Sequence, residues 1–246
     1  MIYNKVYKGI FRSRLNRFVA EVEISQASEP TVMRKATAMG SLRPTVELCH
    51  VKNTGRCKEL LVNGANVYVN KAENPNRSTK YDLIAVHKGN MLINMDSQAP
   101  NIAFGEYLRN GNFDEVGYPN YVKAEARYGT SRFDFYVESN KTKIFIEVKG
   151  VTLEENGIAM FPDAPTLRGV KHLNELAACI TEGYEAYVVF VIQMEGITRF
   201  MPNYKTHAAF GETLAKVMDL WVKAFAYDCM VTPESIAINR QVEIVM

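Results

Sequence analysis

The sequence predicts an α/β (α+β) protein with two domains, a small β-domain followed by a larger mixed domain. Two observations support this prediction. Up to about residue 82 the chain consists of short segments with alternating apolar residues, separated by turn-forming residues. From residue 83 onward, helical and strand patterns alternate, as expected for helices packed against one sheet. The predicted domains therefore span residues 1–82 and 83–246.

The N-terminal domain is predicted to be a small β-barrel or sandwich of short strands. The strand segments are KVYKGIFRSR, RFVAEVEI, VELCHV and NGANVYVNK. An excursion from Ser25 to Pro44, containing Ser, Pro and Gly, separates the second segment from the third. The junction with the next domain is predicted in the polar stretch ENPNRSTKYD, because Asn74, Pro75 and Asn76 favour a turn.

The C-terminal domain is predicted to begin with a strand, a helix and three strands, namely LIAVHKGNMLINM, NIAFGEYLRNG, YVKAEARY, RFDFYVES and KIFIEVKGV. A long helix follows from about Asp163, its predicted N-cap, to Glu182, and Gly183 ends it. The strand YEAYVVFVIQ is apolar almost throughout, which predicts burial on both faces. The segment GETLAKVMDLWVKAF predicts a helix with Trp221 in the core, and SIAINRQVEIV predicts a final strand.

The composition is that of an ordinary globular protein that works inside the cell. Of the 246 residues, 47% are hydrophobic, yet no apolar run approaches the roughly 20 residues of a membrane span, so no membrane partner is expected. The N-terminus lacks the pattern of a signal peptide. The four cysteines form no CxxC pair, which favours free thiols and a cytoplasmic location. The net charge of +2 does not by itself indicate a polyanionic partner.

A predicted hairpin carries the residues best suited to catalysis. In RFDFYV, alternation separates two faces, Arg132, Asp134 and Tyr136 on one and Phe133, Phe135 and Val137 on the other. In KIFIEVKGV it likewise separates Phe145, Glu147 and Lys149 from Ile144, Ile146 and Val148. The connection ESNKTK is short and polar, so the two strands should pair antiparallel about 4.8 Å apart. This pairing brings Asp134, Glu147 and Lys149 together.

These three residues suit metal-dependent cleavage of a phosphodiester. Two adjacent carboxylates repel one another, and a divalent cation such as Mg²⁺ or Mn²⁺ relieves that repulsion. The cation also stabilises charge on a phosphate and lowers the pKa of a bound water, which the lysine can orient. The spacing alone is loose, however, and three residues by themselves favour an ordinary solvated hairpin face. Glu106, on the preceding predicted helix, is a further candidate metal ligand, although a solvated glutamate explains it as well.

Several basic and polar groups are candidates for binding nucleic acid. The first 20 residues carry Arg12, Arg14 and Arg17 among aromatic residues and no acid, a pattern suited to phosphates and bases. On the long helix, Arg168, Lys171 and His172 share the face opposite the apolar stripe. Solvated charges explain both groups equally simply. The remaining candidates lie in turns or next to them, and each also suits a plain structural role: Asn53, Thr54, Ser131 and Arg132.

Several longer segments give the chain a recognisable resemblance. The segments KAEARYGTSRFDFYV, IFIEVKGVTL and FPDAPTLRGVKHLNEL resemble the sugar fermentation stimulation protein family, as do FRSRLNRFVAEVEI, HVKNTG, the APN of residues 99–101 and the GEY around Glu106. The resemblance extends over nearly the whole chain. It implies an N-terminal OB-like barrel, a C-terminal PD-(D/E)xK restriction-endonuclease-like domain with Asp134, Glu147 and Lys149 at the motif positions, and DNA as partner.

The chain departs from the family pattern in places, and the resemblance leaves the function open. HVKNTG stands where the family has HCPNTG, the excursion after Ser25 is long, and THAAF replaces an Asp-Pro near Thr206. Three hypotheses follow: a Mg²⁺- or Mn²⁺-dependent nuclease, a DNA-binding regulator of sugar-metabolism genes without turnover, and an OB-like module for sugar or protein ligands. The sequence leaves open whether the DNA is single- or double-stranded, and whether the protein is a homodimer.

Overall fold

The computed structural model describes residues 1–24, 44–53, 55 and 57–246. This part of the chain divides into two compact units. One comprises residues 2–97 and 232–235, and the other comprises Met1 and residues 98–231 and 236–246. Nearly all of the predicted excursion between Ser25 and Pro44 lies outside the described residues, as does Thr54.

The first unit is the predicted β-barrel. Its strands alternate buried and partly exposed residues, as in the segment Val19–Ile24, so that one face fills the barrel interior. The sheet order is β3-β2-β1-β4-β5-β6, and a parallel pairing of β3 with β5 closes it. The strands are β1 (Val6–Arg14), β2 (Val19–Ile24), β3 (Thr45–Val51), β4 (Asn66–Lys71), β5 (Tyr81–Lys88) and β6 (Met91–Asn94).

The division between the units falls later than the sequence predicted. The predicted boundary at residues 82/83 lies inside β5, whereas the contacts divide the chain between Ser97 and Gln98. The reason is the apolar run of residues 83–86, which is fully buried and belongs to the strand that pairs with β4. The strand that was expected to open the second domain therefore completes the first one.

The second unit is built on one mixed six-stranded sheet in the order β15-β14-β12-β9-β8-β7. Strands β9, β12 and β14 are parallel, while β7, β8 and β9 form an antiparallel meander. A smaller sheet has the order β10-β11-β13-β16. The strands are β7 (Tyr121–Tyr128), β8 (Ser131–Ser139), β9 (Thr142–Val151), β10 (Leu153–Glu155), β11 (Ile158–Phe161), β12 (Glu185–Ile192), β13 (Arg199–Pro202), β14 (Lys223–Thr232), β15 (Ser235–Gln241) and β16 (Glu243–Ile244).

Helices cover both faces of the large sheet. Helix α1 (Ala99–Arg109) packs Phe104 and Leu108 into the core formed by Phe135, Ile146 and Val189. Helices α2 (Leu167–Thr181) and α3 (Tyr204–Asp219) pack against each other on the opposite face. Strand β12 is buried along nearly its whole length, as its apolar sequence predicted, because helices lie on both of its sides. No helix in the described part of the chain is long and apolar enough to cross a membrane.

Two helix boundaries differ from the prediction. Helix α2 begins after Thr166, whose side chain accepts a hydrogen bond from Gly169 N at 3.0 Å, so Thr166 and not Asp163 is the N-cap. Helix α3 ends at Asp219, and the segment around Phe225 that was predicted as helix is part of β14. Trp221 lies in the connecting turn with φ +75° and is 82% exposed, so it is not a core residue. Burial of β14 beside β12 outweighs the helical spacing of these residues.

The N-cap assignment gives a direct stability prediction. Thr166→Ala removes the side-chain acceptor of the first turn of α2 and should lower the free energy of unfolding by about 1 kcal/mol. Asp163→Ala, at the exposed position that the sequence favoured, should change it by less than about 0.5 kcal/mol. Urea denaturation of both variants beside wild type measures the difference. A larger loss in Asp163→Ala would show that the helix is capped there instead.

Candidate functional site

The β8–β9 hairpin brings the predicted acidic residues together, as alternation suggested. The register pairs Phe135 with Ile146, so Asp134 and Glu147 occupy the next positions of the two strands. Lys149 follows two residues later in β9, and its Nζ donates a hydrogen bond to Glu147 Oε1 at 2.5 Å. Phe133, Phe135, Ile144, Ile146 and Val148 are all buried, as predicted.

Asp134 is fixed by hydrogen bonds to both of its oxygens. Asn101 of α1 donates to Oδ1 at 2.6 Å, and the backbone N–H of Val148 donates to Oδ2 at 2.7 Å. Burial, and next the negative charge of Glu147, raise the pKa of Asp134 to about 6, although these hydrogen bonds oppose the shift. The carboxylates therefore interact across the hairpin, and Asp134 is ionised at neutral pH at an electrostatic cost.

The alternation of β8 does not continue through Asp134. Phe135 packs against Phe104 of α1, with ring centroids 5.9 Å apart. Phe133 instead packs against Phe145 and His172 on the α2 side, at 5.4 and 6.2 Å. The two phenylalanines were predicted on one face and lie on opposite faces. The Asp134 carboxylate accepts the Val148 N–H just beyond Phe135↔Ile146, the last pair in the register of β8 with β9.

Glu147 is deeply buried and holds its charge. Its Oε1 accepts from Lys149 and lies 2.5 Å from Nδ1 of His172 in α2. Burial alone raises the pKa of Glu147, but the hydrogen bond from His172 and the charge of Lys149 outweigh it and hold the pKa below its usual value. Its Oε2 is buried and has no hydrogen-bond partner among the described residues. A buried ionised oxygen without a partner is rare in proteins and is one place where a cation or a water can bind.

Beside this carboxylate is a pocket of about 480 Å³ with a strongly basic lining. It lies between the β7–β8 turn and the first turns of α2. Two acidic residues near it each pair with one lining cation, Glu125 with Arg132 at 3.2 Å and Glu175 with Lys171 at 3.6 Å. The pocket is lined by Arg127, Thr130, Ser131, Arg132, Arg168, Lys171 and His172. The structure thus collects into one place the C-terminal residues that were predicted to bind nucleic acid.

The structure does not bring Glu106 to the carboxylate pair. Its side chain is 53% exposed and forms an ion pair with the amino group of Met1 at 2.5 Å. On α1 it is Asn101 that reaches Asp134. Across the described residues, no group of three or more His, Cys, Asp or Glu side chains is arranged to hold a metal ion. Glu106 therefore does not join Asp134 and Glu147.

The predicted basic residues of the barrel have structural partners. Arg12 donates from Nε to Glu23 at 2.9 Å, and Arg14 donates to the backbone oxygens of Gly55 and Arg17. The Arg17 guanidinium lies 5.7 Å from the ring centroid of Phe18. Asn53, also predicted to bind nucleic acid, donates to Met95 O and accepts from Gly55 N, which stabilises its own turn. Thr54 lies outside the described residues.

One residue that contacts Asp134 was not predicted as a site residue. Asn101 belongs to the APN segment that supported the family resemblance, and this was its only signal. Arg127 of β7 lines the pocket. Strand β7 keeps one register with β8 from Tyr121↔Glu138 to Tyr128↔Ser131, and Glu125, which lies opposite Asp134, has a φ of +53°.

Comparison with known proteins identifies relatives of this chain. The family model described as "Sugar fermentation stimulation protein RE domain" matches residues 98–235, and the one described as "SfsA N-terminal OB domain" matches residues 13–95. A sugar fermentation stimulation protein homolog from Desulfitobacterium hafniense is 52% identical over 236 residues, which cover 96% of this chain and 94% of the relative. A homolog from Clostridium beijerinckii is 50% identical over 246 residues and covers 100% of both chains.

The chain belongs to the sugar fermentation stimulation protein family. This family assignment confirms the resemblance and the OB barrel predicted from it. A solved structure, described as Pyrococcus furiosus SfsA in complex with Ca²⁺, has a TM-score of 0.83 to this chain and 25% sequence identity, and covers 100% of this chain and 98% of that one. The mixed sheet of the second unit, with helices on both faces, is consistent with the nuclease-like fold expected for the family.

The raised pKa of Asp134 predicts how stability depends on pH. The folded-state pKa of about 6 exceeds the ordinary value of 3.8, so folding takes up a proton between these values and ionised Asp134 destabilises the fold above pH 6. Asp134→Asn removes that charge, and Asn101 can turn its amide to face the new side chain. At pH 7.5 the variant should gain up to about 3 kcal/mol, and near pH 4 the gain should disappear.

Urea denaturation in EDTA between pH 4 and 8 measures this difference. EDTA keeps divalent ions from stabilising the wild type. Asp163→Asn, at an exposed position, is the matched control and should show no pH-dependent gain. A stability difference between Asp134→Asn and wild type that is the same at pH 4 and 7.5 would show that the Asp134 charge costs nothing in the fold.

Proposed function

We propose that the protein is a DNA-binding, divalent-metal-dependent phosphodiesterase whose cleavage site is formed by Asp134, Glu147 and Lys149. The observation that carries this proposal is the buried Oε2 of Glu147, which lacks a hydrogen-bond partner in the described part of the chain. Glu147 lies beside the carboxylate of Asp134, and the charge of Glu147 raises the pKa of Asp134. Two anions held together with an open oxygen are the arrangement that a cation stabilises.

The donor set fits Mg²⁺ or Mn²⁺. Both are hard cations that take carboxylate oxygens and commonly complete their shell with water and substrate phosphate. Asp134 and Glu147 would hold the ion. When bound, it neutralises developing charge on a phosphate and lowers the pKa of a coordinated water. The relative from Pyrococcus furiosus was solved with Ca²⁺, which supports a divalent cation in this family without identifying the one that works here.

The positions of Lys149 and of the basic pocket suggest their roles. Lys149 is held by Glu147 and lies 15% exposed, so its ammonium can meet a substrate from the edge of the buried site and orient the attacking water. The basic pocket provides phosphate contacts on the α2 side. DNA is the proposed substrate because the family resemblance implies it. Since the cysteines of the chain are free and buried, we place its activity in a reducing compartment, the cytoplasm.

The first test removes one charged group at a time. Glu147→Gln should abolish divalent-dependent cleavage and weaken Mn²⁺ binding, because it deletes an anionic ligand. Lys149→Met should retain Mn²⁺ binding and reduce cleavage by about 10²-fold or more, judged from comparable charge-stabilising groups. Glu106→Gln should change neither. The measurements are Mn²⁺ calorimetry and cleavage of labelled single- and double-stranded DNA.

Three outcomes would contradict the proposal. Wild type that binds DNA but neither takes up Mn²⁺ nor cleaves would favour a regulator built on a nuclease scaffold. Equal residual cleavage in all variants would indicate a contaminating nuclease. Salt-independent retention of a neutral sugar, with no DNA binding, would favour the OB-like module for other ligands.

A second test concerns the basic surfaces. Replacing Arg132 and Lys171 with Gln removes two pocket cations and should weaken DNA binding for all sequences alike. It should also reduce the slope of log affinity against log salt by about 0.9 per lost duplex phosphate contact. Arg12→Gln should have a smaller effect, because Glu23 accepts two hydrogen bonds from that guanidinium. Arg132 and Lys171 each have a single, longer contact with a carboxylate. Fluorescence anisotropy between 50 and 200 mM salt, the range over which such slopes are resolved, measures both. An unchanged slope in the pocket variant would show that its charges are only solvated.

A further inference from the structure

Two residues of α2 connect the basic pocket to Glu147. Arg168 Nε lies 3.3 Å from Nε2 of His172, and His172 Nδ1 lies 2.5 Å from Oε1 of Glu147. His172 is 5% exposed, so water does not compete for either ring nitrogen. Arg168 and His172 are one helical turn apart and both also line the pocket. The chain of contacts therefore runs from the anion pocket to the buried carboxylate through one imidazole.

The donors in this chain determine the tautomer of His172. A guanidinium has only N–H donors, so the Nε2 that faces Arg168 must present a lone pair. The proton of the neutral ring is then on Nδ1, from which it is donated to Glu147 Oε1. Arg168 uses Nε–H for this contact, and its guanidinium has four other N–H donors with which to meet an anion in the pocket.

The consequence for Glu147 is a fixed orientation. Oε1 accepts from both His172 and Lys149, which reach it from α2 and from β9 itself. Rotation of the carboxylate would break two charge-assisted hydrogen bonds at once. Oε2 is consequently the oxygen left without a partner among the residues described. Groups that hydrogen-bond a ligating carboxylate in this way orient it and typically change metal affinity 10- to 100-fold.

We propose that His172 is a positioning residue for the metal site: Arg168 fixes its Nδ1–H tautomer, and His172 holds Glu147 so that Oε2 is the oxygen that binds the cation. This assignment rests on the proposed function only in that Glu147 binds a divalent ion. It goes beyond the prediction that His172 contacts nucleic acid. The competing explanation is that His172 merely fills space beside Phe133, whose ring it contacts edge to face.

Three substitutions of His172 separate positioning from packing. His172→Asn places an amide nitrogen near the position of Nδ1 and can still donate to Glu147. His172→Gln places its amide near the position of Nε2, where it can meet Arg168 but not Glu147. His172→Phe keeps the ring volume and the contact with Phe133 and offers neither hydrogen bond. The three variants are compared by calorimetry with Mn²⁺ and with Ca²⁺, without nucleic acid.

Positioning predicts that His172→Asn binds both ions within about 3-fold of wild type, whereas His172→Gln and His172→Phe bind about 10- to 100-fold more weakly. Equal affinity in all three variants, or loss in His172→Asn with retention in His172→Phe, would overturn the proposal. If the variants show the predicted order of metal affinity but the wild type cleaves no DNA, the proposed phosphodiesterase activity is refuted and the role of His172 stands.

A measurement on the metal-free wild type keeps the proposal testable even where a variant does not fold. Long-range ¹⁵N–¹H correlation spectra of the histidine rings should show a protonated Nδ1 and an unprotonated Nε2 for His172. Arg168→Lys should weaken the preference for this tautomer, because the planar donor beside Nε2 is lost. A wild-type ring protonated on Nε2 alone would overturn the proposal, since His172 could not then donate to Glu147.

Discussion

The second unit depends on one buried charge, the carboxylate of Glu147 in the middle of a mixed sheet. An ionised group with little access to water is costly unless hydrogen bonds and opposite charges surround it. Here the compensation comes from Lys149 on the same strand and from His172 on α2, whose other ring nitrogen contacts Arg168. The packing of α2 against β8 and β9 is therefore linked to the electrostatics of this one side chain.

The charge of Asp134 is compensated less well than that of Glu147. Its hydrogen bonds from Asn101 and Val148 orient it but do not offset its burial and the charge of Glu147, so its pKa rises to about 6. The proposed cation would relieve this electrostatic strain, which the hydrogen bonds do not. In this arrangement strain is placed at the functional site, while the OB barrel and the core of the sheet contain ordinary buried apolar strands.

The sequence predicted the parts of the structure that depend on local pattern. Alternation and a short polar turn located the hairpin of β8 and β9 and its buried residues, and the turn residues indicated the barrel. Prediction from the sequence failed where tertiary contacts override the local pattern. Phe133 packs on the α2 side although Phe135 packs on the α1 side, and burial beside β12 makes β14 a strand. No spacing rule connects Asn101 or His172 with the carboxylates, because both approach from separate helices.

The proposed binding of a divalent cation by Asp134 and by Glu147 through its Oε2 can be measured directly in a crystal structure of the protein grown with Mn²⁺, in which anomalous scattering identifies the ion. We expect a peak in direct contact with Glu147 Oε2 and Asp134, with Oε1 still held by His172 and Lys149. Mn²⁺ bound elsewhere, or Glu147 turned so that Oε1 is the ligand, would contradict it.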